Sequence, residues 1–392
     1  MQWLLAGLLG IAAHPAIAAP RYFDDCVAPD STTFLRIESC TFSLAADGLD
    51  DKQRVQALLS RSKGYAAQFW PDQASADLAE AKRLAPHDPD VSAALADVSH
   101  FIGGKQDRAI AGYKEVLQKD GGADPTTLIK LGMSYVMANK FDLARQTFDQ
   151  AVKADPDNVE ALTWRSSTYA HDKQYDLALA DLDRAVTLDP QNMTARQWRG
   201  EELLYAGAFD KAIDDLNFTL KAQPDNPLYR LRGVAEYMTG NFVAAGEDFY
   251  RDLNFDPVYA HLAAWRFFAE QRQGGDGGPE LQQIVALLNG RWPTPLLKLV
   301  VDQATIDDVT AAVASTKDPT LRQVRESQAN CIIGEWLVLK GKRAEAVAHF
   351  KISNDIGVVA AMDEVKERRA VVPPDTLIEF AMARARLKEP VQ

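Results

Sequence analysis

The chain has 392 residues, 47% of them hydrophobic and 25% charged, a balance that excludes a disordered or fibrous protein. Its net charge of −12 and pI near 5.1 offer no basic footprint for a phosphate backbone, so no nucleic-acid partner is expected. After the N-terminus there is no apolar stretch of about 20 residues, so no integral membrane span is expected.

Residues 1–18 contain the apolar run "WLLAGLLGIAA", then Pro15 and Ala16-Ile17-Ala18. The small-x-small tripeptide is the pattern of a signal-peptidase site, although no Lys or Arg precedes the run. The reading is an export signal cleaved after Ala18, which places the mature protein in a bacterial periplasm. That compartment is oxidising, and disulfides persist there. Cys26 and Cys40 lie close together just after the signal and are predicted to pair. The run "STTFLRIESCTFSLAAD" reads as a helix from Ser31, with Cys40 on it and Cys26 on an extended segment before it. Together they define an N-terminal segment, 19–54. Cys331 lies in a helical pattern and is expected to stay a buried thiol. Cys26 follows "YFDD", so no lipid anchor is expected on it.

From residue 55 the chain repeats itself. The segments "ARQTFDQAVKADPDN" (144–158), "ALADLDRAVTLDPQN" (178–192) and "AIDDLNFTLKAQPDN" (212–226) place Pro156, Pro190 and Pro224 at intervals of 34 residues. Units beginning near 55, 90, 125, 159, 193 and 226 share small residues at the eighth and twentieth positions and a large apolar residue at the twenty-fourth. Gly132, Ala144 and Phe148 show the set in one unit; Ser62, Ala74 and Leu78 show it in another. This pattern resembles the tetratricopeptide repeat (TPR), and the resemblance implies two antiparallel helices per unit. Small residues let the two helices approach, and proline ends the second helix because it cannot extend the hydrogen-bond ladder. One such unit cannot bury its apolar face alone, so the expected fold is an all-α TPR superhelical solenoid over 55–258.

Comparing the units exposes a recurring charge pair. Arg61, Arg165, Arg199 and Arg232 hold the seventh position, and Asp77, Asp181, Asp215 and Asp248 the twenty-third of the same four units. The units from 90 and 125 lack both, with Ala96 and Gly112 in one and Leu131 and Thr147 in the other. Residues that appear and vanish together are predicted to form an ion pair inside each repeat.

The resemblance also implies a concave groove lined by the first helix of each repeat. Met133, Met137, Trp164, Trp198, Tyr205, Arg230 and Tyr237 fall at its inner positions. Aromatic, Met and Arg side chains are those that protein interfaces enrich, so the groove is predicted to bind proteins or peptides.

After Pro257 the period is lost over 259–326, with a connection at "GGDGGP". It returns at 327–361, where Gly334, Ala346 and Phe350 restore the eighth, twentieth and twenty-fourth positions. Pro373-Pro374 breaks the chain, and "DTLIEFAMARARL" reads as a last helix within a 362–392 tail, expected to cover the end of the solenoid. The succession "YMTGNFVAAGEDFYRDLNFDP", "LAAWRFFAEQR", "RWPTPLLKLVVDQATIDDVTAAV" and "ANCIIGEWLVLKGKRAEAVAHFKISNDIG" resembles the C-terminal half of bacterial NlpI-type TPR proteins. That resemblance implies an envelope adaptor that gathers murein hydrolases and a protease. It departs in showing no lipobox and in having more regular repeats.

No G-x-S-x-G, H-E-x-x-H or phosphate-loop pattern occurs, and the six histidines lack ligand spacing, so no catalytic residue, metal or cofactor is predicted. The expected function is a non-catalytic periplasmic scaffold. Two other readings stand beside it: a TPR component of polysaccharide export or outer-membrane assembly, and an enzyme subunit with a site in 259–326. A homodimer stays open.

Overall fold

The computed structural model describes residues 19–101, 106–119, 121–224, 228–255, 260–368 and 375–388. The predicted export signal, 1–18, and Pro373-Pro374 lie outside the described residues. Among the described residues every regular element is a helix, and the helices follow one another in tandem antiparallel pairs. The chain divides into two compact units, one ending at Ala138 and one beginning at Asn139.

The first unit opens with α1 (Ala19–Val27) and α2 (Thr33–Ala45), followed by α3 (Asp51–Ala67), α4 (Pro71–Leu84), α5 (Pro89–Phe101), α6 (Gln106–Lys119) and α7 (Pro125–Met137). Thr32 caps α2 by accepting from Leu35 N at 3.4 Å, and Asp50 and Gln53 form a reciprocal capping box at α3. Cys26 and Cys40 form a disulfide, and both are fully buried against Ala57 and the half-buried Phe23. The segment carrying Cys26 is helical rather than extended. Phe23 and Cys26, one turn apart, face the same core, and Tyr22 packs on Phe42 with ring centroids at 5.3 Å. The bridge spans 14 residues, a loop whose closure contributes about 3 kcal/mol on the chain-entropy estimate.

The second unit contains α8 (Phe141–Ala154), α9 (Val159–His171), α10 (Tyr175–Leu188), α11 (Met193–Ala206), α12 (Phe209–Ala222), α13 (Tyr229–Thr239) and α14 (Phe242–Phe255). Asn158 and Asn192 cap α9 and α11 by accepting from the backbone N–H three residues on, each at 3.0 Å. After the first helix of six repeats the chain reverses at a residue in the left-handed region. Phe69 (φ 57°), Asn139 (56°), Lys173 (61°), Gly207 (80°), Gly240 (87°) and Gly341 (75°) all hold the fifteenth position of their unit. The spaced small residues act by proximity. A Cβ added at Gly200 would lie 3.2 Å from Leu216, one at Gly233 2.9 Å from the Phe249 ring, and one at Gly334 2.5 Å from the Phe350 ring.

Stacking continues past the regular array. Helix α15 (Leu262–Arg272) packs on α14 as a further first helix would, with Trp265 and Phe268 fully buried. Three further helices follow: α16 (Gly278–Leu288), α17 (Thr294–Val300) and α18 (Ile306–Ala314). The first helix of the returning repeat extends beyond 327 toward the N-terminus. This helix, α19 (Pro319–Leu339), starts where Asp318 caps Leu321 N at 2.9 Å and Pro319 takes the first turn, and nothing between them and Leu339 breaks it. Its partner α20 (Arg343–Arg368) runs past 361 into the predicted tail. The last helix, α21 (Asp375–Lys388), packs on α19 and α20 and also reaches back to α11 and α13.

Candidate protein-binding face

The four charge pairs are bidentate in every case. Arg61 donates to Asp77 at 2.8 and 2.7 Å, Arg165 to Asp181 at 2.7 and 2.6 Å, Arg199 to Asp215 at 2.6 and 3.0 Å, and Arg232 to Asp248 at 2.7 and 2.7 Å. Two parallel N–H···O bonds fix a guanidinium in angle as well as distance. A third donor of each Arg goes to the preceding helix or repeat: Thr41 at 3.2 Å, Asp149 at 3.1 Å, Asp183 at 3.1 Å and Asn217 at 2.6 Å. Each Arg therefore ties a repeat internally and also sets its register on the unit before it, a role the within-repeat reading missed. The repeat from 90, which lacks the pair, is held at Asp97 by Tyr113 Oη at 2.7 Å and Lys130 Nζ at 2.9 Å.

The seven groove residues divide. Met133 is half-buried and Met137 37% exposed on α7, in the first unit. In the second unit Trp164 on α9 and Trp198 on α11 are both half-buried and meet edge-to-face, with centroids 5.1 Å apart. The Trp164 ring stacks over Phe148 at 6.4 Å. Nearby, Phe141 stacks on His171 at 3.6 Å. Trp164 and Trp198 form a partly open aromatic face on successive first helices, backed by the buried Phe148 of α8.

Tyr205, Arg230 and Tyr237 do not line an open groove. Tyr205 is 7% exposed and belongs to the core. Arg230 is 2% exposed and donates to Asp252 on α14 at 3.1 Å, beside the buried His261 that precedes α15. Tyr237 is 1% exposed and donates to Glu335 at 2.6 Å. For Tyr237 the physical reason is tertiary: α19 and α21, which follow the regular array, fold back and fill this inner position, whereas Arg230 is closed in by its own repeat through Asp252. Burial holds Tyr237 well above the ordinary phenol range, with the Glu335 charge adding to it.

Glu335 is the centre of that filling. It is fully buried on α19 and accepts from Tyr237, from Arg272 on α15 at 2.8 Å, and from Arg386 on α21 at 2.9 Å through both Nε and a terminal nitrogen. Sequence reading passed over it, although a lone acid inside the apolar run "CIIGEWLVL" is a visible signal of a partnered buried charge. In 259–326, the ionisable Arg266 is paired with Glu270 at 3.2 Å and with Glu280 at 2.8 Å. Cys331 is a buried thiol on α19. Among the described residues no helix is long and apolar enough to cross a membrane.

The tetratricopeptide repeat family matches residues 129–192 and 199–257, so this part of the chain consists of TPR repeats. MamA is similar at 27% identity over 40% of this chain and 92% of its own, with a TM-score of 0.36. A thermophilic TPR protein of Thermus thermophilus is similar at 20% identity over 43% of this chain and 92% of its own, with a TM-score of 0.38. YrrB, described as a TPR protein with an unusual peptide-binding site, is similar at 23% identity over 46% of this chain and 92% of its own, with a TM-score of 0.38. No curated protein matches in sequence.

Proposed function

We propose that the protein is a non-catalytic scaffold of a bacterial periplasm that holds envelope proteins, hydrolases or proteases, on the inner face of its TPR array. The observation that carries this reading is the Trp164–Trp198 pair. Two half-buried indoles, in edge-to-face contact on consecutive first helices, present area that water solvates poorly and that a partner segment can cover. TPR repeats are protein-interaction modules, which supports the scaffold reading. The export-signal pattern at 1–18 supports the location, and the buried Cys26–Cys40 disulfide fits an oxidising compartment. The NlpI-like order of segments in the C-terminal half supports the envelope partners.

The test is a pull-down from bacterial envelope extract with wild-type protein and the double variant Trp164→Ala, Trp198→Ala. Hot-spot aromatics typically contribute about 2 kcal/mol each, so recovery of the bound partners should fall at least tenfold while helicity stays at the wild-type level. Equal recovery by both proteins places the binding surface elsewhere. Detection of the mature protein in cytoplasmic rather than periplasmic fractions overturns the location.

A further inference from the structure

We propose that α21 is a built-in occupant of the inner face, and that the partner segment docking there is a basic helix of the same chemistry, which displaces α21. The proposal rests on the reading of that face as protein-binding, and deepens it by naming the kind of partner.

The helix that ends the described chain does not only close the stack. Its last turn lies over the first helices of two central repeats. Lys388 Nζ donates to the Ala206 carbonyl, where α11 ends, at 3.2 Å. The Arg384 guanidinium lies 5.5 Å from the centre of the Tyr175 ring, and that of Arg386 5.8 Å from the Tyr237 ring. Ala381, Met382 and Ala383 are buried in the same core as Tyr205 and Tyr237. The inner position Tyr237, the end of α11 and the start of α10 are therefore met by a helix of this chain, through three cations on one short stretch.

The seat beneath it is acidic. Glu335 takes Arg386 directly. Glu202 on α11 is 9% exposed, and its Oε2 has no hydrogen-bond partner among the described residues. Burial, and next the Glu202 charge, hold the Tyr175 phenol above its ordinary value, while the Arg384 charge acts in the opposite sense. Burial, and next the charge of Glu201, push the Glu202 carboxyl up to about 8. A buried carboxyl oxygen without a donor gains from an N–H brought into hydrogen-bond reach, so a foreign helix that places Arg or Lys against Glu202 Oε2 holds an advantage over α21.

The seat also tolerates exchange. When Arg386 leaves, Glu335 keeps Arg272 and Tyr237 and is not stranded as a buried unpaired charge. The partner chemistry follows: an alanine-rich amphipathic helix with basic residues on the face turned to α11 and α13, bound helix-in-groove.

The experiment uses the full chain and a fluorescein-labelled synthetic peptide of residues 375–392 as probe, read by anisotropy. Weakening the internal helix with R384A, R386A and K388A together should make the peptide bind at least tenfold more tightly than it binds wild type. Adding E335Q to that background should lower the binding by at least tenfold. Equal binding to wild type and the triple variant, or none to either, overturns the proposal. Amide hydrogen exchange on wild type decides independently of any substitution. Amides of α21 should exchange at least tenfold faster than those of α19, and exchange of α21 only with unfolding of its whole unit overturns the proposal. A concentration-dependent dimer that swaps α21 between copies also overturns it, because the occupant would then be a second copy. None of these readouts depends on capture by Trp164 and Trp198, so failure here and failure of the scaffold reading are separable.

Discussion

Asp215 accepts three hydrogen bonds while 1% exposed, two from Arg199 at 2.6 and 3.0 Å and one from Arg196 at 2.8 Å. Removing one partner of a buried charge network leaves the others desolvated without compensation. Asp215→Ala should therefore lower stability by about 3 kcal/mol in urea unfolding, and Arg199→Lys should restore little, since an ammonium cannot make the bidentate bond. His261 gives a pH signature. Burial, and then the Arg230 charge, push its imidazole down to about 3, so the folded protein holds it neutral. An unfolded chain takes up that proton near the ordinary value of about 6.5, so its contribution is intact above that pH and is lost as pH falls toward 3. Between pH 7.5 and 5, wild type should lose about 1–2 kcal/mol more than His261→Gln, measured as urea midpoints at both pH values. At this scale the sequence spoke clearly only where the chain compared itself with itself. The Arg–Asp pairs were legible because both members disappear together in the units from 90 and 125. The burial of Tyr237 was not, because its partner Glu335 lies 98 residues away and no local pattern encodes that distance.

Within each helix pair, the eighth and twenty-fourth positions set how closely the two backbones approach. Gly334→Ala places a methyl 2.5 Å from the Phe350 ring, closer than any contact can sustain, and the ring is itself only 2% exposed. The overpacking should cost about 1–3 kcal/mol and lower the thermal midpoint. Gly246→Ala, where the nearest atom is 3.8 Å away, should be tolerated and serves as the control for glycine replacement in general. The helix pairs themselves, their turns and the return of the repeat after 326 were readable, since period, small-residue spacing and proline punctuation are local signals. Where a helix began was less so. The α1 segment became helical because Phe23 and Cys26 share a buried face with α2, and α19 started eight residues before 327 because Asp318 and Pro319 make a better N-terminus than anything nearer.

Across the second unit, stability is not a sum over neighbouring repeats alone. In a simple array each repeat touches only the next, and such arrays fold and fray one unit at a time. Here the Tyr237–Glu335 hydrogen bond and the Lys388–Ala206 contact join residues 98 and 182 positions apart. The location of the protein and the partners it holds were proposed from the N-terminal signal pattern and the C-terminal resemblance; the fold carries no address. The long-range bonds do carry a consequence for how the protein matures. Whether the chain emerges from a ribosome or a translocon, α13 appears long before the acid its tyrosine will bond. Until α19 and α21 arrive, the inner side of α11 and α13 is an uncovered surface on a nascent chain. Maturation of this unit is therefore retrograde, completed from the C-terminus inward, and a chain stalled between α14 and α19 is the form of this protein most exposed to chaperones and to aggregation.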